Sequence, residues 1–247
     1  MCGRYASFRE AQDLADAFAA PDVADDARLL PPSWNVAPTD PVRIVVEREG
    51  ERDDDVQRSL RVARWGLVLG WAKDPSVGSR MINARVETLA IKPAFRKALL
   101  TRRCIVPAEG YYEWQEVERG GKPAKQPFWI HAADGSPLAF AGLYEFWRDP
   151  DRADDDPLRW LVTMTIVTGG AGTEDPALGP IHDRRPVVLD PAGWDAWLDP
   201  LTRDADAVLP LLDARSPRLV PTPVSPAVGS VRNNGPELIE AAVQPTP

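Results

Sequence analysis

The spacing of apolar residues changes period several times along the chain. Phe8, Ala11, Leu14, Ala15 and Phe18 recur at helical intervals and stop before Pro21, which predicts a helix over 8–20. Val42–Glu47 and Leu60–Trp65 alternate apolar and polar positions, which predicts two paired strands with the acidic run Glu51–Asp55 as their hairpin loop. Leu30–Pro41 reads as a Pro-rich loop. Trp65-Gly66-Leu67 opens an irregular segment that continues to Asn83. Lys92–Leu100 predicts a short helix with Pro93 in its first turn, where a missing N–H costs nothing. Strand-like runs follow at Cys104–Val106, Tyr111–Val117, Pro127–His131, Leu138–Phe146 and Trp160–Thr168, with Gly120-Gly121 as the turn between the second and third. Asp149–Asp156 reads as an exposed loop, Pro186–Leu189 as a short strand, and Gly193–Asp199 and Thr202–Leu212 as helices. The tail from Ser216 is rich in Pro and Asn. It is expected to lie over the surface and to be poorly ordered from about residue 235.

Strands dominate, and the helices fall at the edges rather than alternating with them. This predicts one α+β domain spanning residues 1–247, built round an antiparallel sheet. The length of 247 residues with 44% hydrophobic content is ample for a sizeable core. Nine Trp are many for this length; most are expected in the core, with some on an aromatic-lined surface.

The net charge of −8 argues against general binding of polyanions. Its distribution changes the picture. Between Arg80 and Arg103 the chain carries Arg80, Arg85, Lys92, Arg96, Lys97, Arg102 and Arg103 against Glu87 alone, a surplus of six positive charges. A solvated helix face is the plainer reading of this run, and a local DNA-binding face the functional one. Two cysteines, Cys2 and Cys104, exclude a disulfide scaffold, and with two histidines they cannot complete a four-ligand zinc site without carboxylates. No signal-peptide pattern and no apolar run of membrane-spanning length is present, so the chain is expected to be cytoplasmic, soluble and monomeric, without metal or cofactor.

Candidate chemistry begins at the N-terminus. Loss of Met1 would give Cys2 a free α-amine beside its thiol. The amine titrates at about 7.7–8.0 in reference peptides, so a useful fraction is nucleophilic near neutral pH. Such a 1,2-aminothiol condenses with aldehydes: the amine forms an imine and the thiol closes a thiazolidine on the same carbon. An accident of the start codon would equally place a cysteine there. His182 lies in a loop bounded by Gly179-Pro180 and Pro186, beside Arg184 and Arg185, where a proton carrier and phosphate holders would be useful. Gly110-Tyr111-Tyr112-Glu113-Trp114 begins a strand whose alternation puts Glu113 on the face of Tyr111, as a satisfied structural acid or a tuned acid/base. Asn83 and Arg85, two residues apart, could orient a sugar and clamp a phosphate, or Arg85 could simply pair with Glu87. Cys104, in an apolar run, reads as an inert core thiol, and His131 as a structural strand residue.

Taken in order, Met1-Cys2-Gly3-Arg4-Tyr5, Asn35-Val36-Ala37-Pro38, Trp65-Gly66-Leu67, Ile82–Thr88, Gly110–Trp114 and His182–Pro186 resemble the SRAP family (SOS response-associated peptidase, the abasic-site processing proteins). The resemblance runs from Cys2 to the segment 224–234. It implies a single α+β domain with a strongly bent, barrel-like antiparallel sheet and peripheral helices. It implies autoproteolytic loss of Met1 and a thiazolidine link between Cys2 and the opened sugar of an abasic site, preferentially in single-stranded DNA. By position, Cys2 would be the nucleophile, Asn83 would orient it, and Glu113 and His182 would be the acid/base groups. Arg4, Asn35, Trp71, Arg85, Arg184 and Arg185 would contact DNA. The family often has a Pro shortly after Trp-Gly-Leu, where this chain reads Val68-Leu69-Gly70-Trp71. Two other readings compete: a cysteine hydrolase using Cys2, His182 and Glu113, and a non-covalent binder of single-stranded DNA for which Cys2 would be dispensable.

Overall fold

The computed structural model describes residues 2–49, 56–170, 177–213 and 217–242. The hairpin loop expected at 51–55 lies outside these residues. In chain order the strands are β1 (Tyr5–Ser7), β2 (Asp22–Val23), β3 (Ser33–Val36), β4 (Pro41–Glu49), β5 (Val56–Trp65), β6 (Asn83–Arg85), β7 (Arg103–Ala108), β8 (Gly110–Arg119), β9 (Lys122–Ala132), β10 (Leu138–Arg148), β11 (Trp160–Gly170), β12 (Arg184–Pro186) and β13 (Leu219–Pro223). The α-helices are short: α1 (Ala11–Ala17), α2 (Asp25–Leu29), α3 (Pro93–Thr101), α4 (Trp194–Leu198) and α5 (Ala205–Val208). No helix among the described residues is long and apolar enough to cross a membrane.

Strands β11, β10, β7, β4 and β5 pair in that order, and β5 then pairs back onto β11 through Thr163↔Arg64 and Met164↔Trp65. This closes a five-stranded barrel. The last pair is parallel, so the barrel is mixed, while the neighbouring five-stranded sheet β13-β9-β8-β1-β3 is antiparallel throughout. The alternation along each strand could not reveal the parallel closure, because side-chain period is the same in both kinds of ladder. Trp65, fully buried, sits at the seam, and its indole N–H donates to the Ile82 carbonyl at 2.9 Å.

Two glycines set the geometry that the site needs. Gly66 has φ +127°, and a Cβ there would lie 2.6 Å from the Gly78 carbonyl oxygen. Only glycine lets the chain after β5 turn back against Gly78 and deliver β6 to the free side of β11. At Gly110, where the chain leaves the barrel for the second sheet, a Cβ would meet the Ile130 carbonyl and the Trp129 ring at 2.6 Å. That close approach turns β8 across the N-terminal strand β1, in register Tyr5↔Tyr111.

The expected elements shift for local reasons. The first helix begins only at Ala11, because Phe8 is drawn out to stack on Trp34 at 5.3 Å. The expected helix 202–212 divides into α5 and a 3-10 turn, Leu209–Asp213, around Pro210, which has no N–H to continue an α-helix. The Pro-rich loop 30–41 contains strand β3. The tail does more than lie over the surface. β13 adds to the edge of β9, and Val224, Val228 and Leu238 are buried against Ala6, Tyr112 and Trp129. The Pro236–Ile239 turn is part of this packing.

Candidate active site

The pairing of β1 with β8 carries the N-terminus along β8 toward Glu113: the Tyr112 N–H donates to the Arg4 carbonyl at 2.9 Å, so the residues before Arg4 run beside Glu113. Cys2 is fully buried there, with its thiol 4.0 Å from the Arg4 carbonyl. From the barrel side, β6 lies parallel to β11, and the Asn83 side-chain N–H donates to the Cys2 carbonyl at 2.7 Å. Asn83 Oδ1 is buried and without a hydrogen-bond partner. An unsatisfied buried acceptor costs about 1–3 kcal/mol, an expense that a substrate hydroxyl would relieve.

Glu113, His182, Arg184 and Arg185 line one cleft with Tyr111, Ile130, Leu178 and Ile181. The cleft has a volume of about 10 Å³, room for a single water. Burial raises the Glu113 carboxyl above the usual carboxylate range, opposed by the charge of His182. The carboxyl thereby keeps its proton to higher pH than an exposed glutamate does. Burial, reinforced by Glu113, also pushes the Cys2 thiol well above the usual range. This thiol is therefore held protonated.

His182 Nδ1 stands 3.0 Å from the Arg184 backbone N–H and 2.8 Å from Asp183 Oδ1. The two contacts demand opposite states. Accepting from Arg184 needs a bare Nδ1, which puts the neutral ring's proton on Nε2; binding Asp183 needs a proton on Nδ1. The two contacts are thus met by different placements of the ring proton, Nε2–H for the first and Nδ1–H for the second. Asp183 and Tyr111 were not singled out from the sequence, although both adjoin residues that were.

The expected DNA contacts divide. Trp71 is 81% exposed, on the loop after buried Val68 and Leu69, and Arg85 is exposed at the end of β6. Arg184 is clasped by Glu87 at 3.1 and 3.0 Å and also reaches the Thr168 carbonyl at 2.9 Å. Glu87 thus takes Arg184 as its salt-bridge partner rather than Arg85. With Glu87 half exposed, such a pair is worth only about 0–1 kcal/mol, so a phosphate could displace it. Arg4 and Asn35 are tied to one another and to the tail. Arg4 donates to Asn35 Oδ1 at 2.8 Å and to the Val228 carbonyl at 3.0 Å. The buried Asn35 amide nitrogen sits among the carbonyls of Val228, Ser230 and Asn233. Its donors are committed to the tail, which leaves Asn35 no side-chain donor for DNA. Cys104 is buried against Gly142, and His131 stacks near Trp129, as structural residues.

The Glu113 shift has a measurable consequence. The unfolded chain ionises its carboxyl first, at about 4.3, so this residue costs stability as pH rises from there through its folded value. Glu113→Gln is expected to raise the melting temperature at about pH 7.5, with the gain closing toward about pH 4. An equal gain at both pH values would assign the effect to packing instead.

Fold and site together define a small mixed barrel that buries a cysteine at position 2 beside Asn83 and Glu113, with Glu113 and His182 lining one cleft. The family model of the SOS response associated peptidase (SRAP) matches residues 1–231, and the chain belongs to this family. The chain is 37% identical over 242 residues to the abasic site processing protein YoqW of Bacillus subtilis, covering 98% of this chain and all of that one. It is 34% identical to the abasic site processing protein YedK of Escherichia coli, covering 97% and 99%. A solved structure from Bacteroides thetaiotaomicron superposes with a TM-score of 0.78 over 98% of this chain and all of that one; at 22% identity this shows the shared fold alone.

Proposed function

We propose that this protein captures abasic sites in single-stranded DNA by closing a thiazolidine on Cys2 after Met1 is removed. The single observation that carries the reading is the burial of Cys2 beside Asn83 and Glu113, in a chain whose relatives are named for abasic-site processing.

Hydrolysis of the Met1–Cys2 bond consumes one water and frees the α-amine. The abasic sugar enters as a hemiacetal. His182 gives a proton to the ring oxygen while the C1′ hydroxyl loses one, and the aldehyde is exposed. The amine adds to the aldehyde carbon, and Glu113 carries protons as the carbinolamine loses water to give the imine. The thiol then adds across the C=N bond, its sulfur joining carbon and its proton passing to nitrogen. Burial keeps the thiol protonated until sulfur adds, which suits the order amine first, sulfur second, the thiol giving up its proton as it joins the imine carbon. Asn83 positions Cys2 through its carbonyl and offers Oδ1 to a sugar hydroxyl. Trp71 stacks a flanking base, and Arg85, Arg184 and Arg185 hold phosphates.

The test is a denaturing gel of protein lacking Met1 mixed with a single strand carrying one abasic site. A slow band that survives denaturation is expected with that strand and not with an undamaged one. Equal bands with both strands, or none with either, would refute capture at the abasic sugar.

A further inference from the structure

The basic run 80–103 is not absorbed by the site. Several arginines elsewhere in this acidic chain are neutralised: Arg9, Arg58, Arg61, Arg148, Arg152, Arg159, Arg184 and Arg203 meet carboxylates, as does Arg102 near the end of the run. Arg85, Lys92, Arg96 and Lys97 are exposed, and none of the four makes a salt bridge among the described residues. The one acid in the stretch, Glu87, is occupied by Arg184.

Placement makes this a surface rather than a sequence statistic. Arg85 lies at the end of β6, level with Thr168 of β11, whose carbonyl is held by Arg184 of the cleft. Two tight turns then lead straight into α3: the Ile91 and Lys92 N–H groups both donate to the Thr88 carbonyl. Along α3, Phe95, Ala98 and Leu99 face inward. Lys92 and Arg96 stand one turn apart, with Lys97 beside them, on the outer side. Lys92 is the residue that precedes the helix, and the first turn contains no acid. A cation at a helix N-terminus opposes the helix dipole. The sequence accepts that cost together with mutual repulsion of like charges, and a bound polyanion would relieve both.

We propose that the outer face of α3 (Lys92, Arg96 and Lys97) is a phosphate track, continuous with Arg85, which holds the DNA strand beyond the abasic nucleotide. The proposal rests on the function proposed above for the choice of polyanion. The track adds affinity without touching the chemistry, since its side chains lie outside the cleft.

The test uses the triple variant Lys92→Gln/Arg96→Gln/Lys97→Gln, which leaves the inward face of α3 intact. Binding of an undamaged single strand of about 20 nucleotides is measured by fluorescence anisotropy between about 50 and 200 mM salt. The triple variant is expected to bind about 10-fold or more weakly, and its log–log salt slope to fall by about 2, roughly 0.7 per lost phosphate contact. A strand of about 5 nucleotides should bind both proteins alike, being too short to span site and track. The charge-preserving variant Lys92→Arg/Arg96→Lys/Lys97→Arg should restore the long-strand affinity. Unchanged affinity and slope in the Gln variant would make the run a solvated helix face and overturn the proposal. So would loss of affinity in the charge-preserving variant. Because this binding is non-covalent and needs no aldehyde, it is read independently of Cys2: wild-type protein that crosslinks an abasic strand but shows no effect of the triple variant keeps the site and loses the track. The converse result keeps the track and loses the site.

Discussion

Protein carrying Cys2→Ala, processed to expose residue 2, is expected to give no denaturation-resistant complex with an abasic strand, a fall of at least about 100-fold in crosslink yield. The argument rests on what alanine keeps. Its α-amine still forms an imine with the C1′ aldehyde, but no sulfur follows to close the ring. An imine that persists withdraws electrons from the sugar and promotes β-elimination of the 3′ phosphate. Strand cleavage should therefore appear as the slow band disappears. The denaturing gel reads both at once. A Cys2→Ala protein that still forms the slow band would move the attachment to another nucleophile, and loss of the band without any cleavage would argue that the amine never reaches the aldehyde.

His182→Ala carries the second large effect. Sugar ring opening requires a proton at the ring oxygen, and His182 is the imidazole of the cleft, its Nδ1 held between the Arg184 N–H and the Asp183 carboxylate. Removing a positioned general acid costs about 10²–10⁴-fold in rate. The expected result is a crosslinking rate at saturating DNA at least about 100-fold lower, with the same end-point yield, because the thiazolidine itself is untouched. Affinity for undamaged single strands should stay the same. A fall in affinity with an unchanged rate would make His182 a DNA-holding residue. Glu113→Gln supplies the contrast: it is expected to slow the reaction while stabilising the fold at neutral pH, since the buried carboxyl opposes its own ionisation.

How far these residues could be read from the chain depends on how local their determinants are. Strand alternation put Glu113 on the side of Tyr111, and both line the cleft, because a period of two is written in the strand itself. Cys104 was recognisable as a core thiol from its apolar neighbours. The parallel β5–β11 pair that closes the barrel left no trace, since it joins residues about a hundred positions apart. Strand β13 was hidden by Pro221 and Pro223, which an edge strand tolerates but a local reading takes for loop. The same blindness hid the surroundings of Asn35, which the resemblance alone placed on the DNA path: the tail folds back from 190 or more residues away onto its amide. Arg184 was placed at the site, but its clasp by Glu87 needed the register of β6, β11 and β12. The basic run was visible in the sequence, and the structure added that Arg85, Lys92, Arg96 and Lys97 of it are exposed.

The central claim is tested most directly by the mass of the adduct. Protein lacking Met1 is incubated with an abasic single strand, and the intact product is weighed before and after treatment with borohydride. Thiazolidine closure through amine and thiol predicts the sum of the two reactants less one water, unchanged by borohydride. A product that has gained hydrogen on reduction would be an open imine, and one that has lost no water would be a simple thiol adduct; either would contradict ring closure on Cys2.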